Sequence, residues 1–381
     1  MIYLDYSATT PVNDEVLNSY ISCCNKFIGN PNSLHKLGIA AKNIIDSATN
    51  QVIDILNLDD YDIIYTSGAS ESNNTVIKGI ASTYKSRGNR ILTTQLEHSS
   101  IYGPLGYLQK HGFIVDIIKT DENGMIDIND LKDKLGDDVI LVTICSVNSE
   151  TGLLQPVNEI GEILKNYGKC YFHVDMTQSI GKIKINFDNI DFASFSAHKF
   201  YGMKGIGCLI KKKRIVIDPL IHGGKSTTKF RSGTPALPLI VSLSKALRLS
   251  YVDIEKKYEK IKKLNDFIKI GLSKYSDVTI NSNDKCIPHI LNISVLNIKP
   301  ETMLHALESY DVYISTQSAC SSNNQISKAV YELTKDEVKA SHSLRISLSH
   351  LTDMDDVKRF LEYFDKCYNR LNLRRNNGED S

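Results

Sequence analysis

The chain has 381 residues, 41% of them hydrophobic, which is ample for a sizeable core and suggests two or three domains. Its 45 Lys and Arg almost cancel its 44 Asp and Glu, which argues against a nucleic-acid surface or a funnel for acidic substrates. The opening Met1-Ile-Tyr-Leu-Asp-Tyr-Ser7 has no basic region followed by an apolar stretch, and no run approaches the length that spans a bilayer. A soluble, cytoplasmic protein is expected, with neither membrane nor nucleic acid as a direct partner.

In chain order, the residues up to about Val12 read as extended. Short apolar, β-branched runs then recur at Asp62–Thr66, Arg90–Thr94, Ile114–Lys119, Val139–Ile144, Cys170–Val174, Asp191–Phe195 and Gly207–Ile210. Asn73–Tyr84, Ile101–Lys110 and Val157–Tyr167 show apolar spacing of three and four, the mark of a helix. Strands alternating with helices predict an α/β fold whose mostly parallel, seven-stranded sheet carries helices on both faces. Such sheets bind ligands at the carboxyl ends of their strands. From Ser242 a lysine-rich amphipathic stretch runs through Ser273. Strand-like runs follow at Val278–Ile280, Ile290–Val295, Val312–Ser315 and Leu344–Ser347. The expected division is a large domain over 13–250, a smaller α/β domain from 1–12 and 251–370, and a polar tail over 371–381.

Three segments just past predicted strands carry candidate chemistry. Thr66-Ser-Gly-Ala-Ser-Glu-Ser-Asn-Asn74 opens a helix with small and hydroxyl residues, which suits an anion cradle. Taken alone, it is equally an ordinary capped helix start of the Ser-x-x-Glu kind. Asp175, in His173-Val-Asp-Met-Thr-Gln178, puts a carboxylate in the crevice, although Asp after a strand is also a common helix cap. Lys199, in Ser194-Phe-Ser-Ala-His-Lys-Phe-Tyr-Gly202, follows a strand beside hydroxyl and imidazole donors. An isolated lysine is usually a surface residue. Three such features at successive strand ends of one sheet favour a lysine that binds an aldehyde cofactor covalently.

These segments resemble the cysteine desulfurases of the NifS/IscS type, in the class V aminotransferase group of fold-type I enzymes dependent on pyridoxal 5′-phosphate (PLP). The resemblance runs from Tyr3 to about residue 365. It rests on Tyr3-Leu-Asp-Tyr-Ser-Ala-Thr-Thr-Pro11, Gly29-Asn-Pro-Asn-Ser33 with His35, the segment from Thr66 to Asn74, Glu97-His98 and Val147-Asn-Ser-Glu-Thr-Gly152. It continues through His173 to Gln178, Ser196-Ala-His-Lys199, Lys204-Gly-Ile-Gly207, Arg231-Ser-Gly-Thr234, Ser318-Ala-Cys320 and Ser343-Leu-Arg-Ile-Ser-Leu348.

The resemblance implies that Lys199 carries PLP, that Asp175 holds its pyridine nitrogen, and that Gln178 and Asn148 lie near its ring hydroxyl. Ala69, Ser70, Ser196 and His198 would hold the phosphate. Thr234 would reach the phosphate of a second subunit, implying a homodimer. His98 would stack on the ring and act as an acid–base group. Arg345, Asn148 and Asn30 would bind the substrate, L-cysteine. Cys320, on a loop from Gln317 to Ile326, would accept the sulfur as a persulfide for a scaffold or carrier protein serving Fe–S cluster or thio-cofactor assembly. It could also ligate a cluster transiently.

Eight cysteines, at 23, 24, 145, 170, 208, 286, 320 and 367, form no CxxC pair, so no zinc site or disulfide framework is expected. Cys320 lies in a polar, loop-like run, whereas the other seven lie in apolar runs or helices and read as small buried hydrophobes.

The sequence departs from the family pattern at four places. In His222-Gly-Gly-Lys-Ser-Thr-Thr-Lys-Phe230, Lys225 and Ser226 replace a glycine and an amide or imidazole, and a glutamate is missing. Gln317 replaces a glycine, Ser349-His350 replaces Gly-Arg, and Met203 replaces a proline. The same resemblance admits other class V activities, namely a selenocysteine or cysteine-sulfinate lyase or an aminotransferase. It also admits a PLP-binding interaction protein without turnover.

Overall fold

A computed structural model describes residues 1–224, 226, 228–316 and 326–376. In chain order the elements are β1 (Ile2–Tyr3), α1 (Asp14–Lys26), α2 (Lys36–Leu56), β2 (Tyr61–Thr66), α3 (Ala69–Tyr84), β3 (Arg90–Thr93), α4 (Ser99–Gln109), β4 (Ile114–Ile117) and α5 (Ile128–Lys134). Next come β5 (Val139–Cys145), α6 (Val157–Leu164), β6 (Tyr171–Asp175), β7 (Phe192–Ser196), β8 (Gly207–Lys212), α7 (Leu237–Tyr251) and α8 (Ile254–Leu272). The last are β9 (Val278–Ile280), β10 (Ile290–Val295), α9 (Pro300–Glu308), β11 (Val312–Tyr313), α10 (Lys328–Thr334), α11 (Glu337–Ser341), β12 (Ser343–Ser347) and α12 (Met354–Asn376).

Seven strands form one sheet in the order β2-β8-β7-β6-β5-β3-β4. It is parallel except for β8, which runs antiparallel to β2 and β7. β5 reads Val-Ile-Leu-Val-Thr-Ile-Cys and is buried at every position, as a central strand covered on both faces must be. One face packs a cluster containing Val142, Phe172, Phe195 and residues of α2 and α7. The other packs Val76, Ile77 and Ile80 of α3 with Ile101 and Leu105 of α4. Burying each such aliphatic side chain contributes roughly 1.5–3 kcal/mol. This is the fold class the sequence pattern predicts, and the carboxyl ends of β2, β5, β6 and β7 share one edge.

A separate apolar cluster joins Ile2 and Leu4 to α8, β10, α9, β12 and α12. There β9, β10 and β12 form an antiparallel sheet, and β1 pairs with β11. The predicted amphipathic stretch over Ser242–Ser273 is two helices, broken where Asp253 takes φ 51°. Apolar spacing continues across that break, so periodicity alone does not reveal it. α12 continues through Asn376, into the segment expected as a polar tail. No helix among the described residues is long and apolar enough to cross a membrane.

Candidate active site

The edge where β2, β5, β6 and β7 end holds a cavity of about 290 Å³. Ala69, Ser70, His98, Asp175, Gln178, Ser196, His198, Lys199 and Arg345 all line it. Residues from four strand ends, the N-terminal peptide and β12 therefore converge on one space.

The cradle sits at the start of α3. Its N-cap is Gly68, which has no side chain to offer, so the capping box that the sequence allows does not form. Glu71 accepts a hydrogen bond from the Ser67 N–H at 2.7 Å and an ion pair from Arg231 at 3.0 Å. Burial opposes its charge, but these donors win and hold its carboxyl below the usual range. The Ala69 N–H donates to Ser196 Oγ at 2.7 Å, which draws the end of β7 against the helix start. Gly207 completes the contact, since a Cβ there would lie 2.6 Å from Gly68 Cα. A side chain at 207 would push the cradle away from the sheet.

Asp175 ends β6 and is 6% exposed. Its Oδ2 accepts from Asn73 Nδ2 at 2.9 Å and its Oδ1 from the Thr177 N–H at 3.0 Å. A buried carboxylate needs such donors. Gln178 donates from Nε2 to the Ser7 carbonyl at 3.0 Å and accepts from Lys182. Burial, reinforced by the charges of Lys199 and Arg345, lowers the affinity of Lys182 for its proton well below that of an ordinary lysine.

Lys199 closes a single 3-10 turn after β7. Its Nζ donates to the carbonyls of Ser7 and Ala8 at 2.6 and 2.8 Å. The first residues of the chain clamp this turn: Thr10 donates to the His198 carbonyl through both N and Oγ1, and its Oγ1 accepts from the Tyr201 N–H at 2.7 Å. Tyr201 takes φ 67°, a conformation this lacing holds in place. Burial, aided by Lys199, pulls His198 down to about 4, so it is a neutral donor or acceptor here.

His98 caps α4, and burial also lowers its pKa. Behind it Glu97 is buried, and desolvation pushes its carboxyl up to about 8. Cys145, at the end of β5, also lines the cavity, but burial raises its thiol well above the usual range, so it is no thiolate. Arg345 is 1% exposed and pairs with Asp5 at 2.7 Å while donating to the Ser149 carbonyl at 3.0 Å.

Three predicted site residues lie elsewhere. Asn148 is buried, but it donates to the Leu96 carbonyl and accepts from the N–H groups of Glu150 and Thr151. Its amide builds the loop, and its neighbours Val147 and Ser149 line the cavity instead. Asn30 is exposed and accepts from the Asn32 N–H in its own turn. Thr234 lines a different hollow, of about 200 Å³, with Thr66, Ser67, Gly205 and Arg231. Cys320, like Lys225 and Gln317, lies outside the described residues.

Asn73, Ser100, Glu97 and Lys182 belong to the site without having been assigned a role from sequence. Asn73 falls inside the cradle segment and Glu97 beside His98, which is the signal that could have found them. Two expected buried cysteines differ: Cys24 is exposed and Cys286 half-buried. Three departures among the described residues are accommodated locally. Ser349 Oγ is 2.5 Å from the Tyr201 hydroxyl, the His350 ring meets Tyr201 edge-on at 4.6 Å, and Met203 packs on the main core.

The family described as Aminotransferase class-V matches residues 2–360. The chain belongs to that family. Among its class V relatives, a NifS/IcsS protein homolog of Lactobacillus delbrueckii subsp. bulgaricus is 37% identical, covering 100% of both chains. A cysteine desulfurase IscS of Buchnera aphidicola subsp. Acyrthosiphon pisum is 38% identical over 97% of this chain and 93% of its own. A solved NifS-like protein matches at TM-score 0.90 and 32% identity, covering 98% of this chain and 99% of that one. A structure titled SspA in complex with cysteine matches at TM-score 0.81 and 31% identity, over 93% and 100%.

Proposed function

We propose that this class V protein is a PLP-dependent cysteine desulfurase, converting L-cysteine to L-alanine while sulfur passes to Cys320 as a persulfide. The observation that carries the reading is the meeting of Lys199, Asp175 and the Ala69–Ser196 cradle in one cavity, in a chain whose full-length relatives bear that name.

The donor set fits the cofactor. A helix start without a side-chain cap, two hydroxyls and a neutral imidazole suit a phosphate. A buried carboxylate on the cavity wall suits a protonated ring nitrogen, and a lysine amine suits an aldehyde. Ala69, Ser70, Ser196 and His198 would hold the phosphate, Asp175 the ring nitrogen, Gln178 the ring oxygen and Lys199 the aldehyde carbon. When bound, the cofactor supplies a ring that accepts electron density from the substrate α-carbon. Lys199 Nζ would move the α-proton, and Arg345 would orient the substrate carboxylate through its planar fork. His98, over the cavity, would act on the substrate sulfur.

The Cys320 thiolate would attack the substrate sulfur. As the new S–S bond forms, the Cβ–S bond breaks, its electron pair stays with carbon, and a proton at Cβ completes alanine. Cys320 is thereby oxidised to the persulfide. A scaffold or carrier protein would take this sulfur for Fe–S clusters or thio-cofactors, in the cytoplasm.

A homodimer accords with Thr234 lying outside the main cavity, and with Ile28 and Leu34 standing 81% and 93% exposed. The separate cores support a large domain over 13–250 and a small one from 1–12 and 251–370. The test is incubation of the PLP-loaded protein with L-cysteine and a reductant. Equal yields of alanine and sulfide are expected, and neither product above background would refute the assignment.

A further inference from the structure

His98 binds the N-terminus of its own helix. Its Nδ1 accepts from the Ser100 backbone N–H at 3.2 Å, and Ser100 Oγ stands 2.9 Å from the same nitrogen. A backbone N–H can only donate, so Nδ1 must carry a lone pair rather than hydrogen. The hydroxyl agrees. Asn73 Nδ2 donates into Ser100 Oγ at 2.9 Å, which leaves the hydroxyl hydrogen for His98. The amide cannot turn round, because its other Nδ2 hydrogen meets Asp175 Oδ2 at 2.9 Å, where an amide oxygen would face a carboxylate. Asn73 is fully buried, and its Oδ1 finds no partner among the described residues, a cost accepted to aim both hydrogens this way.

We propose that Asn73 and Ser100 are positioning residues that lock His98 as the Nε2–H tautomer, so that it offers the cavity a hydrogen-bond donor and not a base. The lock runs Asp175, Asn73, Ser100, His98. It rests on the desulfurase reading and sharpens it. Neutral His98 can stabilise negative charge developing on sulfur through its Nε2–H, but it cannot accept the substrate thiol proton at Nε2. That proton leaves by another route, such as ionisation of cysteine before binding. The charged groups acting on His98 are Asp175 and Glu150, which favour its protonation, and Lys199, which opposes it; burial outweighs them.

The test labels the histidine rings of the full chain with nitrogen-15 and reads long-range proton–nitrogen correlations near pH 7.5, with and without PLP. The His98 signals are assigned by their loss in His98→Gln. Hydrogen on Nε2 and a bare Nδ1 are expected in the wild-type protein; hydrogen on Nδ1 overturns the proposal. Ser100→Ala removes a donor to the neutral ring and should move the His98 titration upward by roughly half to one pH unit, with Ser100→Thr restoring it. An unmoved midpoint in Ser100→Ala removes Ser100 from the lock and overturns its role. Alanine release from cysteine is scored on the same samples. An intact Nε2–H signature without turnover supports the tautomer and counts against the desulfurase reading alone.

Discussion

Asp5 and Arg345 lie 340 residues apart in sequence and meet at 2.7 Å beside the cavity. The guanidinium is almost fully buried, and its Nε has no partner among the described residues. Removing the carboxylate strands a buried charge. Asp5→Ala should therefore cost about 3 kcal/mol in urea unfolding. Asp5→Asn, which keeps an acceptor, should cost less. Equal losses would mean that charge contributes nothing to the pair.

Lys199→Ala should fold and still bind PLP noncovalently through Asp175 and the cradle. Borohydride treatment followed by peptide mass analysis should find the cofactor fixed to the Lys199 peptide of the wild-type protein and to no peptide of the variant. Fixation at Lys182 instead would show that a second amine, whose proton affinity burial depresses, serves as the attachment point.

Cys320→Ala should retain PLP and lose sulfide release. Cys145→Ala should keep both, because burial holds that thiol protonated and so poorly nucleophilic. A persulfide found on Cys145 by mass analysis would reverse these roles.

Acid should destabilise the fold. Burial pulls His173 and His198 down to about 4, His289 to about 3 and His350 to about 4. Between these values and 6.5 the unfolded chain binds more protons than the folded one, so stability falls as pH drops through that window. Glu97, pushed up to about 8, works the other way and weakens the fold as pH rises from 4.5 towards 8. Net proton uptake on unfolding near pH 5.5 should be about two, with half-buried His198 and His350 discounted for contact with water. Melting temperatures across pH 5 to 7 in several buffers check this. Glu97→Gln should flatten the alkaline side, and an unchanged alkaline slope would mean Glu97 is ionised in the folded protein.

The strands of the main sheet lie within a residue or two of their sequence positions, because β-branched runs between helices leave little other choice. Lys199, Asp175 and the cradle were legible for a related reason: each follows such a run, and one sheet edge gathers them. Asn73 and Ser100 were not, since their partners lie 102 and 27 residues away along the chain and only the folded backbone brings them together. Asn148 poses the reverse case. Its motif suggests ligand binding, yet an asparagine that accepts from two backbone N–H groups is a loop builder, and sequence does not separate the two uses. The break at Asp253 carries neither Gly nor Pro, so no punctuation marks it.

The carbonyls of Ser7 and Ala8 on Lys199, and Arg345 on Asp5, give the site a temporal property. A ribosome must deliver nearly the whole polypeptide before the pocket has all its walls. The wall that Arg345 supplies then arrives late, and a chain terminated ahead of β12 is born unable to form a finished site, however well its large sheet folds.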